Sequence, residues 1–402
     1  MSWYSSVAIP VVTVSGIWIP LTLLCCIPWV QKQMLYLHWV TLWPGKWLEE
    51  PERAGFLSTC DLRGVPRRSA DQPAENQVAP FRIPTRDGER LFAWLIAPLG
   101  VYSKNLEGFV NEKSGQHEDI EGKLAFKLLR DDPEARLIIY FHGNTGTVAQ
   151  GRRTEEYRMY SAGASDKIFV ISFDYRGFGK STGSPSETGL LSDAEAVVEW
   201  ALHVAKISSD RILLLGHSLG TAVATGIAHH YINLELPVEF SGLILCAAFT
   251  STGNAFSAYS IAGVLPLLAP VKAFPALQAW FSRRIRDSWR TQARLATLAR
   301  MSSKFRVMIV HAEDDTTMPW DQSQELFRST LEAALQDSLT DEEDIDEVRV
   351  VDLGEAGRQE VWRSGARSIS KLIAKHGDHN TMMKWSPIAL AVLQEFGAGT
   401  SL

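Results

Sequence analysis

The amino-acid sequence predicts an open α/β fold in which helices cover both faces of a doubly wound, mostly parallel sheet. Short apolar runs rich in β-branched residues recur along the chain, and helical patterns lie between them. Continuous apolar runs of this length are typical of strands buried on both faces of a parallel sheet. The runs span residues 136–143, 168–175, 211–218, 242–248, 306–313 and 348–354. In such a sheet, functional groups gather at the carboxyl ends of the strands.

The composition indicates one large folded domain with a short appendage. The 402 residues are 46% apolar, which suffices to bury a sizeable core. With a formal net charge of −6 and no basic stripe, the chain is not expected to bind nucleic acid. The four cysteines show no metal-ligand spacing, so we expect neither a metal, nor a disulfide framework, nor a cofactor.

Residues 1–31 are predicted to form a single transmembrane anchor. No charged residue precedes Lys32, and the almost wholly apolar residues 7–30 would form a helix roughly 36 Å long, enough to cross a bilayer core. A secretory signal peptide fits less well, because no basic start or cleavage site is visible; a hairpin buried against the domain is a second alternative. The aromatic residues that follow suit a membrane interface: Trp29, Tyr36, Trp39, Trp43 and Trp47.

The rest of the chain divides into a polar juxtamembrane linker, residues 32–80, and one folded domain, residues 81–402. A strand pair near residues 81–98 is expected to open the domain. Two polar stretches are expected to be solvated surface insertions, at 102–122 and 337–347. The second insertion carries seven acids and no base, but its spacing is not that of a calcium loop.

The most specific chemical signal is the pentapeptide Gly216-His217-Ser218-Leu219-Gly220. It follows a predicted strand and precedes a predicted helix, which is the strand–turn–helix context of the nucleophile elbow in the α/β-hydrolase fold. The flanking glycines are needed because so tight a turn leaves no room for a side chain. The sequence therefore predicts an α/β-hydrolase fold and a serine hydrolase with Ser218 as nucleophile.

A serine hydroxyl needs a general base and an acid to orient it, and on this fold they follow in the order acid, histidine. Three histidines lie beyond Ser218 and outside the helix after it: His311, His376 and His379. His311 is expected to pack or to cap a turn at a strand end. His379 is the predicted base because Gly377 and Asp378 form a turn that would project it, and His376 is the alternative.

The predicted acid follows the strand 306–313. Glu313, Asp314 and Asp315 compete for this position. A frequent pattern places the acid four residues before a proline, which selects Asp315 with Pro319. Asp314 is the alternative, and its other role would be to cap the loop.

The oxyanion of a tetrahedral intermediate needs preorganised N–H donors. One is typically the residue after the nucleophile, here Leu219, and the other comes from a loop such as residues 142–146 (HGNTG). We predict the backbone N–H groups of Leu219 and Asn144 as the donors. Asp174 and Arg176 are expected to form a structural charge pair outside the catalytic set.

Taken in order, these motifs resemble a known family. HGNTGT, FDYRGFGKSTGSPSETG, GHSLGTAVAT, HAEDDTTMP and GDHN, over about residues 80–397 and after an apolar N-terminal segment, are similar to the membrane-anchored lysophosphatidylserine and monoacylglycerol lipases (the abhydrolase domain-containing protein twelve family). The resemblance implies that Ser218, Asp315 and His379 are catalytic, and that the enzyme lies in the endoplasmic-reticulum membrane with its catalytic domain on the lumenal side. The acidic insertion and residues 355–375 depart from the family pattern.

A cap is expected at about residues 250–300. Residues 255–281 contain one charge, Lys272, and three prolines, so they suit a lid that touches lipid or lines an acyl-chain pocket; simple packing over the sheet is the alternative. The arginines that follow would face anionic lipid or solvent: Arg283, Arg284, Arg286, Arg290 and Arg294.

These features together predict a membrane-bound serine hydrolase of lipid acyl esters, either a monoacylglycerol lipase or a lysophospholipid lipase, whose partners are its lipid substrate and the bilayer. A protein depalmitoylase and a non-catalytic membrane scaffold are the alternatives.

Overall fold

The computed structural model describes residues 23–40, 48–49, 76–113, 120–150, 153–258, 260–261, 265–266, 275–338 and 347–397. Within these ranges the main sheet has ten strands. Along the chain they are β1 (Val78–Pro84), β2 (Arg90–Ile96), β3 (Arg136–Phe141), β4 (Ile168–Phe173), β5 (Ile212–His217), β6 (Gly242–Cys246), β9 (Arg306–Ala312), β10 (Arg349–Asp352), β11 (Arg358–Ser364) and β12 (Arg367–Ala374). The short strands β7 (Ser260–Ile261) and β8 (Leu265–Pro266) form a separate pair.

The strands lie in the order β1-β2-β4-β3-β5-β6-β9-β12-β11-β10. The six strands from β4 to β12 pair in parallel, and antiparallel pairs stand at both edges. Parallel neighbours require crossover connections, so the chain passes over both faces of the sheet. The predicted α/β fold with a mostly parallel sheet is confirmed.

Helices cover both faces of the sheet. Along the chain they are α1 (Pro28–Tyr36), α2 (Leu99–Lys104), α3 (Leu106–Asn111), α4 (Leu124–Asp131), α5 (Arg153–Ser161), α6 (Glu187–Glu199), α7 (Leu219–Ile232), α8 (Thr252–Ala258), α9 (Pro275–Ser282), α10 (Thr291–Met301), α11 (Asp321–Ser338), α12 (Asp378–Thr381) and α13 (Ser386–Glu395). Alternate residues of β3 enter two hydrophobic clusters, one on each face. Residues of α6, α7 and α10 pack in one cluster, and residues of α5 and α13 pack in the other.

The end of the sheet differs from the sequence prediction. The run 348–354 was expected to be a buried parallel strand, but β10 within it is an exposed edge strand that pairs antiparallel with β11. The last parallel strand is β12, which lies beside β9. The hairpin of β11 and β12 was missed because charged residues interrupt β11, of which only Trp362 is fully buried.

Two predicted boundaries also move. Strand β1 begins at Val78, inside the expected linker 32–80. The expected solvated insertion 102–122 contains α3 and part of α2, and its Tyr102 and Phe109 are fully buried and in contact. Of the acidic insertion 337–347, residues 339–346 lie outside the described part of the chain.

The N-terminal segment packs onto the domain where it is described. Residues 1–22, most of the predicted anchor, lie outside the described residues. No helix among the residues that the structure places is both long enough and apolar enough to cross a bilayer. Residues 32–36, expected in a linker, instead form the second half of α1, in which Tyr36 is fully buried.

Candidate active site

Ser218 lies in a tight turn between β5 and α7. Its backbone has φ 51° and ψ −118°, a conformation that L-residues rarely adopt. A Cβ added at Gly216 would lie 2.4 Å from the carbonyl oxygen of Gly220, and one added at Gly220 would lie 1.9 Å from that of Phe141. Only glycine fits at these two positions, which is the physical reason for the spacing of the pentapeptide. The turn places Ser218 at the carboxyl end of β5 and at the N-terminus of α7.

His379 and Asp315 are brought together from two different loops. The Nδ1 atom of His379 lies 2.7 Å from Oδ2 of Asp315. The other carboxylate oxygen accepts the backbone N–H groups of Thr317 and Met318, each at 2.8 Å. Burial opposes ionisation of Asp315, but the hydrogen bonds from His311 and His379 outweigh it and hold the pKa of the carboxyl well below its usual range. The carboxylate can therefore fix the imidazole with Nε2 free to exchange a proton.

The two alternatives from the sequence occupy different positions. Asp314 accepts the backbone N–H groups of Gly377, at 3.3 Å, and of Asp378, at 2.9 Å. His376 is 69% exposed in its side chain, and its Nδ1 lies 3.9 Å from Asp314. Asp314 thus fixes the loop that leads to His379, whereas the side chain of His376, in the same loop, is mostly exposed.

Two buried histidines support this pair; no role was predicted for His217 from the sequence, and only packing or turn capping was predicted for His311. Nε2 of His311 lies 3.1 Å from Oδ2 of Asp315, and its Nδ1 lies 2.7 Å from the hydroxyl of Ser323. Burial lowers the pKa of His217 to about 3, so the ring is neutral, and its Nε2 lies 2.7 Å from the carbonyl oxygen of His379. The four-residue separation of His311 and Asp315 was a visible signal for the first contact.

The loop after β3 passes directly beside the turn at Ser218. A Cβ added at Gly143 would lie 3.3 Å from Cβ of Ser218. The N–H groups of Thr145 and Gly146 donate to the backbone carbonyls of residues 36 and 40. Within the described part of the chain, the N–H of Asn144 has no such acceptor. The N–H of Leu219, first residue of α7, has no intrahelical acceptor either.

The expected pair of Asp174 with Arg176 is wrong. Arg176 bonds Asp193, at 2.8 Å from Nε, and also Asp87. Asp174 instead accepts the backbone N–H of Val148 at 2.7 Å. Both residues still order the turn after β4, as expected, but through different partners.

A cavity of about 850 Å³ joins these groups. Ser218, Leu219, His379 and Asn144 line it, with an apolar portion formed by Met34, Leu35, Leu37, Phe249, Ala255, Phe256 and Met318. A polar portion includes Arg153, Glu156 and Gln150. Among the described residues, no group of three His, Cys, Asp or Glu side chains is placed to hold a metal ion. A hydroxyl, a carboxylate-bound imidazole and free N–H groups around one cavity are the parts that acyl transfer requires.

The sequence of this chain matches a known protein family. A profile of the alpha/beta hydrolase family matches residues 138–378, more than half of the chain. The chain belongs to the alpha/beta hydrolase family. The matched stretch runs from within β3 to the first residue of α12, so it includes the turn at Ser218 and ends beside His379.

Curated relatives of this alpha/beta hydrolase confirm the resemblance drawn from its motifs. "Lysophosphatidylserine lipase ABHD12" from Rattus norvegicus is 28% identical over 309 residues, covering 77% of this chain and 65% of that protein. The protein of the same name from Xenopus tropicalis is 28% identical over 309 residues, covering 77% of this chain and 67% of that protein. "Protein ABHD12B" from Homo sapiens is 34% identical over 195 residues, covering 48% of this chain and 49% of that protein. The chain thus spans 65% of the rat relative's length.

Proposed function

We propose that this alpha/beta hydrolase cleaves acyl esters of single-chain lipids, either lysophospholipids or monoacylglycerols, through an acyl-enzyme intermediate on Ser218. The observation that carries the proposal is one cavity lined by both the strained Ser218 and the histidine whose Nδ1 lies 2.7 Å from Asp315. An apolar portion of the same cavity suits an acyl chain.

In the proposed reaction, Oγ of Ser218 attacks the ester carbonyl while Nε2 of His379 takes its proton. Asp315 holds the imidazole and stabilises its positive charge. The backbone N–H groups of Leu219 and Asn144 donate to the developing oxyanion. Collapse of the intermediate breaks the C–O bond, and His379 passes the proton to the leaving alcohol. Water then attacks the acyl-enzyme by the same route, which returns Ser218 and releases a fatty acid.

Arg153 favours a negatively charged substrate within this class. It is 9% exposed and lines the cavity, and its guanidinium donates to the carbonyls of Thr145 and Thr147 but forms no ion pair in the described part of the chain. Burial raises the pKa of the neighbouring Glu156 carboxyl, and the charge of Arg153 partly opposes that rise. Because no described carboxylate lies within ion-pair distance of this buried guanidinium, an anionic group of the substrate in the cavity is well placed to pair with it. The printed name of the rat relative, a lysophosphatidylserine lipase, agrees with such a headgroup.

We also propose that the enzyme is bound to a membrane through residues 1–31 and acts at the endoplasmic reticulum, with the domain that begins at β1 as the catalytic domain. The apolar composition of residues 7–30 supports the anchor. Five large apolar side chains at the end of this segment or just after it are 47% to 68% exposed, which is costly in water: Leu23, Leu24, Ile27, Trp29 and Trp39.

The decisive experiment combines active-site labelling with substrate turnover. Wild type, Ser218→Ala and the exposed-serine control Ser303→Ala are treated with a fluorophosphonate probe and assayed on lysophosphatidylserine, a monoacylglycerol and an S-palmitoyl peptide. We expect labelling and lipid turnover in wild type and in Ser303→Ala, and neither in Ser218→Ala. Turnover should fall by roughly 10⁴-fold or more.

The other outcomes separate the alternatives. Turnover of the S-palmitoyl peptide without lipid turnover would establish the depalmitoylase. Absence of both labelling and turnover in the wild type would favour a non-catalytic scaffold. Labelling that persists in Ser218→Ala would refute the assignment of the nucleophile.

A further inference from the structure

Helix α1 is fastened to the domain beside the cavity. The hydroxyl of Tyr36 donates to the carboxylate of Asp287 at 2.8 Å. The side-chain amide of Gln31 donates to the carbonyl of Arg284 at 2.9 Å and accepts the N–H of Arg286 at 3.1 Å. These bonds join α1 to the connection between α9 and α10, so α1 is docked by specific polar contacts as well as by its buried residues.

The segment that ends α1 also holds the loop beside Ser218. The N–H of Thr145 donates to the carbonyl of Tyr36 at 3.1 Å, and the N–H of Gly146 donates to that of Val40 at 3.0 Å. Thr145 has φ 69°, a conformation that a β-branched residue adopts only when its surroundings hold it there. Two hydrogen bonds donated to the carbonyls of residues 36 and 40 therefore help to maintain the strained loop and, through it, the direction of the N–H of Asn144.

The same segment supplies apolar surface to the cavity. Met34, Leu35 and Leu37 line it together with Phe249 and with residues of α8. A cavity that is polar near Ser218 and apolar along α1 and α8 matches the amphipathic shape of a single-chain lipid.

We propose that residues 28–40 are an integral part of the active site: Met34, Leu35 and Leu37 form a wall of the acyl-chain subsite, and Tyr36 is a positioning residue for the loop 143–146. This inference rests on the proposed function, because it assigns a subsite and a positioning residue to that same reaction. Residues 28–40 would then be a component of the catalytic site and not only a tether to the membrane.

The acyl-chain subsite is tested by filling it. Met34→Trp is compared with Met301→Trp, which replaces a half-exposed methionine at the end of α10. The ratio of kcat/KM for the p-nitrophenyl esters of palmitate and butyrate is measured on the full chain. Because each methylene kept out of an apolar site weakens binding by about fourfold, we expect this ratio to fall at least about tenfold in Met34→Trp and to stay at the wild-type value in Met301→Trp.

The positioning role is tested by removing one hydroxyl. Tyr36→Phe loses the bond to Asp287, whereas the matched Tyr231→Phe loses an equally short bond, 2.7 Å to Glu199, on α7 away from the cavity. On the butyrate ester we expect kcat to fall about tenfold in Tyr36→Phe with KM within twofold, and both to stay at the wild-type value in Tyr231→Phe. Asp287→Ala, which removes the same bond from its other end, should reproduce the fall in kcat if Tyr36→Phe fails to fold.

The outcomes distinguish this inference from the function on which it rests. If Ser218→Ala abolishes turnover but Met34→Trp keeps the wild-type chain-length ratio, the acyl wall is refuted and the hydrolase remains. If Tyr36→Phe and Asp287→Ala both keep the wild-type kcat, the positioning role is refuted. Turnover that survives in Ser218→Ala, or a wild type that cleaves neither lipid, would instead overturn the proposed function itself.

Discussion

Nε2 of His311 lies 3.1 Å from Oδ2 of Asp315, the same oxygen that Nδ1 of His379 contacts at 2.7 Å. The same nitrogen also lies 2.9 Å from the carbonyl oxygen of Met318. Because both neighbours are acceptors, Nε2 carries a proton, while Nδ1 forms a 2.7 Å hydrogen bond with the hydroxyl of Ser323. A fully buried imidazole thus holds the carboxylate together with His379.

Replacing this buried imidazole should slow chemistry more than binding. We expect His311→Ala to lower kcat by about 10- to 100-fold, since one hydrogen bond to a charged group contributes about 1.5–3 kcal/mol. KM should change little because His311 is not among the residues lining the cavity. Steady-state kinetics on a short ester measure both constants. His203→Ala, an exposed histidine beside Glu199, is the control; a raised KM with unchanged kcat in His311→Ala would contradict the prediction.

Asp315 and Asp314 should differ sharply although they are adjacent. Asp315→Asn removes the charge that orients and stabilises His379, so we expect kcat to fall by roughly 10³- to 10⁴-fold. Asp314→Asn keeps one oxygen acceptor for the N–H groups of Gly377 and Asp378, and we expect a loss of about tenfold or less. Kinetics of the two variants side by side decide the point. Equal losses would mean that the loop contacts matter as much as the carboxylate beside His379.

The sequence predicted those parts of the fold and of the site that depend on a local residue pattern. Two glycines mark the turn at Ser218, because neighbouring backbone atoms leave no room for a Cβ at either position. Buried parallel strands are recognisable in the sequence as continuous apolar runs. The contact of His379 with Asp315 followed from chain order at the strand ends. These features are local or fixed by topology, so one chain sufficed to predict them.

Features that depend on distant partners were missed. The sequence of α1 reads as the end of an anchor, and nothing local shows that Gln31 and Tyr36 meet residues 284–287. Charged residues interrupt β11, which lies next to the exposed edge strand β10, so its hydrophobic pattern is weak. Arg176 was paired with a carboxylate close in sequence, whereas its partners Asp193 and Asp87 come from α6 and the β1–β2 turn.

The pH dependence of stability should report on Asp174. Burial raises the pKa of its carboxyl to about 7, against about 3.9 in an unfolded chain. Between these two pH values the folded state retains a proton that the unfolded chain has released, so stability falls as the pH rises through this window, by up to about 4 kcal/mol. We therefore expect the Tm of Asp174→Asn to fall less than the Tm of wild type as the pH rises from about 5 to about 7.

The control for this prediction is Asp166→Asn, whose carboxylate is 44% exposed and should leave the wild-type slope unchanged. The slope in Asp174→Asn should not vanish, because burial raises the pKa of Glu395 to about 7 as well. Thermal unfolding followed by circular dichroism at several pH values measures the slopes. If the Tm of wild type and that of Asp174→Asn change with pH in parallel, the carboxyl of Asp174 is already ionised at about pH 5.

The exposed apolar side chains around α1 should determine how well the enzyme works on bilayers. Trp29 and Trp39 are 68% and 65% exposed and lie at either end of the segment that lines the cavity. Aromatic residues of this kind favour the membrane interface. We expect the double variant Trp29→Ser, Trp39→Ser to lower the ratio of turnover on lysophospholipid in vesicles to turnover on a soluble short ester, by about fivefold or more.

A matched surface change and a truncation complete this test. Leu236→Ser removes an 85%-exposed leucine after α7, at the opposite end of the sheet, and should keep the wild-type ratio. Removal of the anchor must stop before Leu23, because α1 begins at Pro28 and a cut at residue 31 would remove Gln31 with its two bonds to the domain. We expect the shorter truncation to release the protein from membranes in carbonate extraction and to retain turnover of the short ester. A double tryptophan variant with the wild-type ratio, or a truncated protein that still sediments with membranes, would argue that the bilayer contacts another surface.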